Sequence, residues 1–150
     1  MPQPETLRDH HGTSLPELLV VLAIIGIMAA LAVPSYRTML ARAQAQSVTA
    51  EIASELRSAR QLAMARRERL RVLFDGTART LTLQRVDDGA VLRIYRYGDT
   101  GVVMDEPSAG PELCFHPSGR SATATTIRLR DREGRETSLT VSLTGRVSIS

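Results

Sequence analysis

Residues 15–36 form an almost unbroken apolar run, in which Glu17 is the one charged residue among 22. As a helix rising ~1.5 Å per residue, that run is long enough to cross a bilayer core of ~30 Å. Past it the pattern becomes periodic. Val48, Ile52, Leu56, Ala59 and Ala63 follow steps of four, four, three and four, with Glu51, Glu55, Arg57, Arg60 and Arg67 falling largely between them. This is one apolar stripe on an otherwise polar helix. The spacing predicts helix from about residue 15 to about residue 69, apolar in its first half and packed on a domain through the stripe in its second. Ala41, Ala43 and Ala45 favour helix and allow neighbours to approach closely.

After Arg69 the period shortens to two. Residues 70–74, 80–86 and 90–95 alternate apolar and polar side chains, with Asp75-Gly76 and Asp87-Asp88-Gly89 as turns between them. Further short runs at 113–115, 126–130, 138–143 and 146–149 are parted by Gly119, Glu133-Gly134 and Thr144-Gly145. They predict an antiparallel sheet or small sandwich, so the expected fold class is α+β, a long N-terminal helix packed on β-structure. Residues 98–112, rich in Gly, Pro and Asp, read as the longest loop. Gly119 and Gly145 read as turn glycines.

Composition narrows the function classes only in part. All 19 basic residues are Arg; a G+C-rich genome is the simpler source, although Arg also suits bidentate contact with phosphate or carboxylate. Residues 37–71 hold eight Arg against three acids, residues 72–119 four against seven, and residues 120–150 six against three. The excess is local, and a net charge of +3 does not alone point to nucleic acid. Cys114 is the single cysteine, so no internal disulfide forms and the compartment stays open.

The apolar run has three readings. A secretory signal peptide requires a basic start and an apolar region of ~7–15 residues; residues 30–32 imitate its cleavage site, but Glu5 and Asp9 offset Arg8 and the run is too long. A plain membrane anchor explains the length and leaves Glu17 and the Gly12-Thr13 junction without a role. The third reading uses all of these residues. Gly12-Thr13-Ser14-Leu15-Pro16-Glu17-Leu18-Leu19-Val20-Val21, followed by Pro34, resembles the class III signal of type IV pilins and type II secretion pseudopilins. The resemblance implies that a prepilin peptidase cuts between Gly12 and Thr13 and N-methylates Thr13, which stands where phenylalanine is commonest.

The same resemblance gives Glu17 a role in subunit assembly, paired with the new N-terminus of a neighbouring subunit. At ~4 Å and an effective dielectric of ~20, such a pair is worth on the order of 4 kcal/mol. A local reading stands beside it: Ser14 and Glu17 fit a capping box, with Pro16 in the first turn. Gly26 and Pro34 are, by resemblance, the limits of a stretch that loses regular hydrogen bonding on assembly. Gly26 and Ala30 alternatively form a small-residue pair suited to close helix packing. Arg37 and Arg42 beyond the run outnumber Arg8 before it, so charge alone places the wrong side inside. An inner-membrane, single-pass chain with a periplasmic C-terminal domain is what the resemblance implies.

The distal half narrows the resemblance. Cys114-Phe115-His116-Pro117-Ser118-Gly119-Arg120 and the closing stretch from Val141 to Ile149 are similar to the GspH/FimT branch. That implies a type IV pilin-like fold divided into a leader at 1–12, a transmembrane and assembly helix at 13–36, an amphipathic helix at 37–69 and a β-rich domain at 70–150. It also implies a minor pseudopilin of the type II secretion system, or alternatively a FimT/FimU-like minor pilin of a type IV pilus. The implied partners are the prepilin peptidase, other pilin or pseudopilin subunits and an inner-membrane assembly platform.

Some FimT-like members bind DNA near a C-terminal Gly-Arg-x-Arg motif, which here reads Gly145-Arg146-Val147-Ser148 without the second arginine. Arg128 and Arg130, two apart on one strand face, and Arg146 are the candidate DNA contacts. Asp131, Glu133 and Glu136 lie among them and favour a solvated face. An enzyme is not expected. His10 and His11 fall in the leader, which leaves Cys114 and His116 with no orienting third group, and Cys114 reads as a buried structural cysteine. No cofactor or metal motif stands out.

Overall fold

The computed structural model describes residues 14–150, apart from the side chains of residues 32–34 and 99. Helix α1 runs Leu15–Arg66. The Ser14 carbonyl opens it, accepting the N–H groups of Glu17 at 3.0 Å and Leu18 at 3.2 Å. The helix ends three residues earlier than the periodicity predicts, because Arg67 turns left-handed at φ 55°. The N–H groups of Glu68 and Arg67 then return to the carbonyls of Ala63 and Met64, closing the last turn. Glycine commonly takes this position; an L residue there costs about 1 kcal/mol. The chain divides into two compact units between Arg37 and Thr38.

The second unit contains eight strands: β1 Leu70–Asp75, β2 Thr80–Arg85, β3 Val91–Arg96, β4 Val103–Met104, β5 Glu112–Phe115, β6 Thr125–Arg130, β7 Glu136–Val141 and β8 Val147–Ile149. They form two four-stranded antiparallel sheets, ordered β3-β2-β1-β5 and β4-β6-β7-β8. In β1 and β6 alternate residues are buried, the period that a sheet with one covered face requires. The predicted stripe is the helical part of the core: Val48, Ile52, Leu56, Ala59 and Ala63 are all buried. They share one cluster with Leu70, Val72, Leu81, Leu113 and Phe115 of the first sheet and Ile127, Leu129, Leu139 and Val141 of the second. Burying an Ile52 or a Leu56 contributes about 1.5–3 kcal/mol each.

Two expectations change. The loop expected at 98–112 is partly built into the fold: a 3₁₀ turn spans Gly98–Thr100, and β4 pairs Val103 with Arg130 and Met104 with Leu129. Tyr97, Val102 and Met104 are buried, so this segment adds to the core and supplies the edge strand of the second sheet. A two-residue strand leaves no periodic signal to read. Cys114 is not a buried structural cysteine. It is half-buried on the outward face of β5, opposite Arg71, because Leu113 and Phe115 take the alternate inward positions. What burial it has pushes the thiol's pKa up.

Candidate functional site

Helix α1 presents large apolar side chains to the outside from Leu15, 74% exposed, to Leu31, 73% exposed. Residues 18–22 are exposed in succession, so the apolar surface surrounds the helix instead of marking one face. In water such a surface forgoes about 1.5–3 kcal/mol per large side chain. The helix is long and apolar enough to cross a membrane. Glu17 lies exposed in its first turn, where a carboxylate complements the helix dipole. Gly12 and Thr13, the expected cleavage and methylation positions, lie outside the described residues. The helix continues unbroken past Gly26 and Pro34. A Cβ on Gly26 would meet nothing within 4 Å, which leaves a smooth helix surface there.

In the second unit the polar residues flanking the apolar stripe hold β3 and two later segments of the chain against the helix. Glu51 accepts hydrogen bonds from Ser47 Oγ at 3.1 Å and Tyr95 Oη at 2.5 Å. Burial, reinforced by the Glu51 carboxylate, raises the Tyr95 pKa well above the usual phenol range. Glu55 accepts both of its bonds from Arg93 Nη1, at 3.2 and 3.1 Å. These two acids fasten β3 to the helix. Two arginines hold segments further along the chain: Arg57 Nη2 donates to the Val147 carbonyl of β8 at 3.3 Å, and Arg60 Nε donates to the Gly119 carbonyl, between β5 and β6, at 2.8 Å.

Gly119 and Gly145 are more than turn residues. Both have positive φ, 79° and 75°, and both are buried. A Cβ on Gly119 would sit 2.5 Å from Met64 Sδ, and one on Gly145 would collide with the Gly119 carbonyl and lie 2.8 Å from Arg60 Nε. Two turns and one helical arginine therefore interlock. The glycines are visible in the sequence, but their partners lie far away along the chain.

The three candidate DNA contacts fall into two places. Arg128 and Arg130 are exposed on one face of β6, with Arg130 held by Asp105 and Glu136, each at 2.9 Å. Arg146 is exposed in the β7–β8 turn, where its N–H meets Ser142 Oγ. Ser142 is four residues along the chain from Ser138, the partner of Arg128, so roughly 13 Å separates the two places. Arg146 instead lies between Gly145, which packs against Arg60, and Val147, whose carbonyl Arg57 holds. Beside Arg130, burial pushes the Asp131 pKa up, but hydrogen bonds from the Arg135 side chain and from the N–H groups of Arg135 and Glu133 outweigh it and hold the carboxyl below its ordinary value.

Comparison with known proteins agrees with this architecture. The family model "Type II transport protein GspH" matches residues 48–145, and the model "Prokaryotic N-terminal methylation motif" matches residues 7–33. The type IV minor pilin FimU of Pseudomonas aeruginosa superposes with a TM-score of 0.63 at 20% identity, over 73% of this chain and 90% of that structure. The minor pseudopilin EpsH of the Vibrio cholerae type 2 secretion system gives 0.61 at 17%, over 71% and 96%. Among curated proteins, the type IV major fimbrial protein FimA of Dichelobacter nodosus is 50% identical over 40 residues, 27% of this chain. That match spans about a quarter of FimA's length, 26%. Joined to a type IV pilin-like fold and an N-terminal methylation motif, a model match over more than half of its length shows that this chain belongs to the GspH family of minor pilins and pseudopilins.

Proposed function

We propose that the chain is a minor pseudopilin of a type II secretion system, built into a short pseudopilus that serves protein export across the outer membrane. The observation that carries this reading is the GspH family match joined in one chain to the methylation motif and an exposed apolar helix. A prepilin peptidase removes residues 1–12 and methylates Thr13, with the helix in the inner membrane and the β-domain in the periplasm. Glu17 then pairs with the ammonium of a neighbouring subunit's first residue, which compensates a carboxylate that hydrocarbon would otherwise penalise. The helix loosens between Gly26 and Pro34 as the subunit passes from the assembly platform into the filament, where both residues weaken helical bonding. The chain acts by assembly, with no chemistry of its own.

The likeness to the type IV minor pilin FimU supports a second reading, a minor pilin of a type IV pilus; in that reading Arg128, Arg130 and Arg146 are proposed as DNA contacts. Mass spectrometry of the chain extracted from its native membrane tests the common part: the expected product begins at a methylated Thr13. A start at Met1 supports a plain anchor instead, and a start after Ala32 supports a secreted protein. Recovery from a secretion pseudopilus or from a surface pilus then separates the two readings.

A further inference from the structure

Among the described residues the two sheets have four edges, and three of them are short or occupied. Beyond β5, Phe115 bridges Ser121, and the Cys114 carbonyl accepts the N–H of Ala122 at 2.9 Å. β8 has three residues, with its Val147 carbonyl taken by Arg57, and β4 has two. β3 is six residues long and open along its outer side. An edge of that kind is a template for pairing with another chain.

Two residues of β3 turn their backbone to the free side. The Tyr97 N–H meets the Arg79 carbonyl at 3.1 Å, and in an antiparallel pair alternate residues bond the partner strand. Arg93 and Tyr95 therefore bond β2, while Ile94 and Arg96 point both backbone groups outward. The side chains alternate too: Val91 and Ile94 pair with Gln84 and Thr82, the outward residues of β2, since Leu81 and Leu83 are buried. Val91 is 52% exposed and Ile94 50%. Arg96, on the same outer face, is exposed and has no carboxylate partner among the described residues. On the inner face Arg93 is the kind of charge that deters edge pairing, but Glu55 neutralises it. Glu51 holds Tyr95 beside it, so the strand is already ordered for a partner.

We propose that the β3 edge receives an extended segment of a different protein, which adds a strand to the first sheet and sets an apolar side chain beside Ile94 and a carboxylate beside Arg96. Backbone hydrogen bonds to Ile94 and Arg96 give this contact its strength, and the alternate side chains give it selectivity. Opposite charges directly across a strand pair attract, which makes the acid the distinguishing residue of the occupant. β3 itself contains no acid, so a second copy paired along it leaves Arg96 unmatched. The contact is independent of which filament the chain serves.

Fluorescence anisotropy on the full-length chain in lipid nanodiscs tests this. The probe is a short labelled peptide that alternates threonine with valine and carries one glutamate in a valine position. It is expected to bind, and the same peptide with lysine for glutamate to bind roughly 2–5-fold more weakly. Ile94→Pro removes an outward N–H and spares the bonds to β2, so it is expected to weaken binding about 10-fold. Arg96→Glu is expected to reverse the preference toward the lysine peptide, which also shows that the variant still folds and keeps the test decisive if Ile94→Pro does not. Failure of the glutamate peptide to bind overturns the proposal. So does equal binding of a peptide with the same residues in scrambled order, or a preference that Arg96→Glu leaves unchanged. Ready formation of a disulfide-linked dimer by Ile94→Cys in a Cys114→Ser chain identifies a second copy as the occupant and overturns it as well.

Discussion

Gly145 shows how much a single position carries. Its φ of 75° costs a side chain about 1–2 kcal/mol, and its missing Cβ makes room for the Gly119 carbonyl and Arg60. Gly145→Ala is expected to destabilise the fold by about 3 kcal/mol in urea unfolding, from backbone strain and overpacking together. Gly134 has a similar φ of 78° with nothing within 4 Å, so Gly134→Ala is the matched control and loses only the backbone part. Equal losses in the two variants would show that the interlock contributes nothing. Both glycines were legible as turn residues from their neighbours. The interlock was not, since Arg60 lies 59 residues from Gly119 and no local pattern links them.

At the scale of elements, α1 and β3 depend on each other. β3 is an edge strand with Val91 and Ile94 exposed, and an edge strand has one row of backbone groups without a strand partner. Glu51 and Glu55 hold it in place through Tyr95 and Arg93. The raised Tyr95 pKa gives this latch a pH dependence. In the unfolded chain the phenol titrates near ~10, so the latch contributes fully below that pH and is lost as pH rises toward the folded value. Urea unfolding between about pH 9 and pH 11 is expected to show stability falling with pH, and falling less steeply in Tyr95→Phe. Tyr97 and Cys114, both raised by burial, leave a residual slope. An unchanged slope in the variant would remove Tyr95 from this account. The elements themselves were largely visible: the stripe from Val48 to Ala63 and the alternating runs match α1 and seven of the eight strands in place, if not to the residue. β4 escaped because its two residues depend on a partner in β6 for their conformation.

For the whole molecule, the proposed assembly role of Glu17 is the point at which a plain anchor and an assembly subunit differ. Glu17→Gln keeps the length and hydrogen-bonding shape of the side chain and removes its charge. The variant is expected to insert into membranes at the normal level and to be depleted from purified filaments. Normal incorporation would reduce Glu17 to a cap on α1. The apolar helix, the acid at its mouth and the strand periods are all local features, set by the order of residues and by the two periods, 3.6 and 2, that backbone geometry permits. They can therefore be read from the chain without its fold. The division into two sheets, the seating of Gly119 and Gly145 under Arg60, and the separation of Arg146 from Arg128 and Arg130 depend on which distant segments meet. Such meetings are decided by packing around the core and by hydrogen bonds between residues far apart in the chain, where residue order leaves no periodic trace.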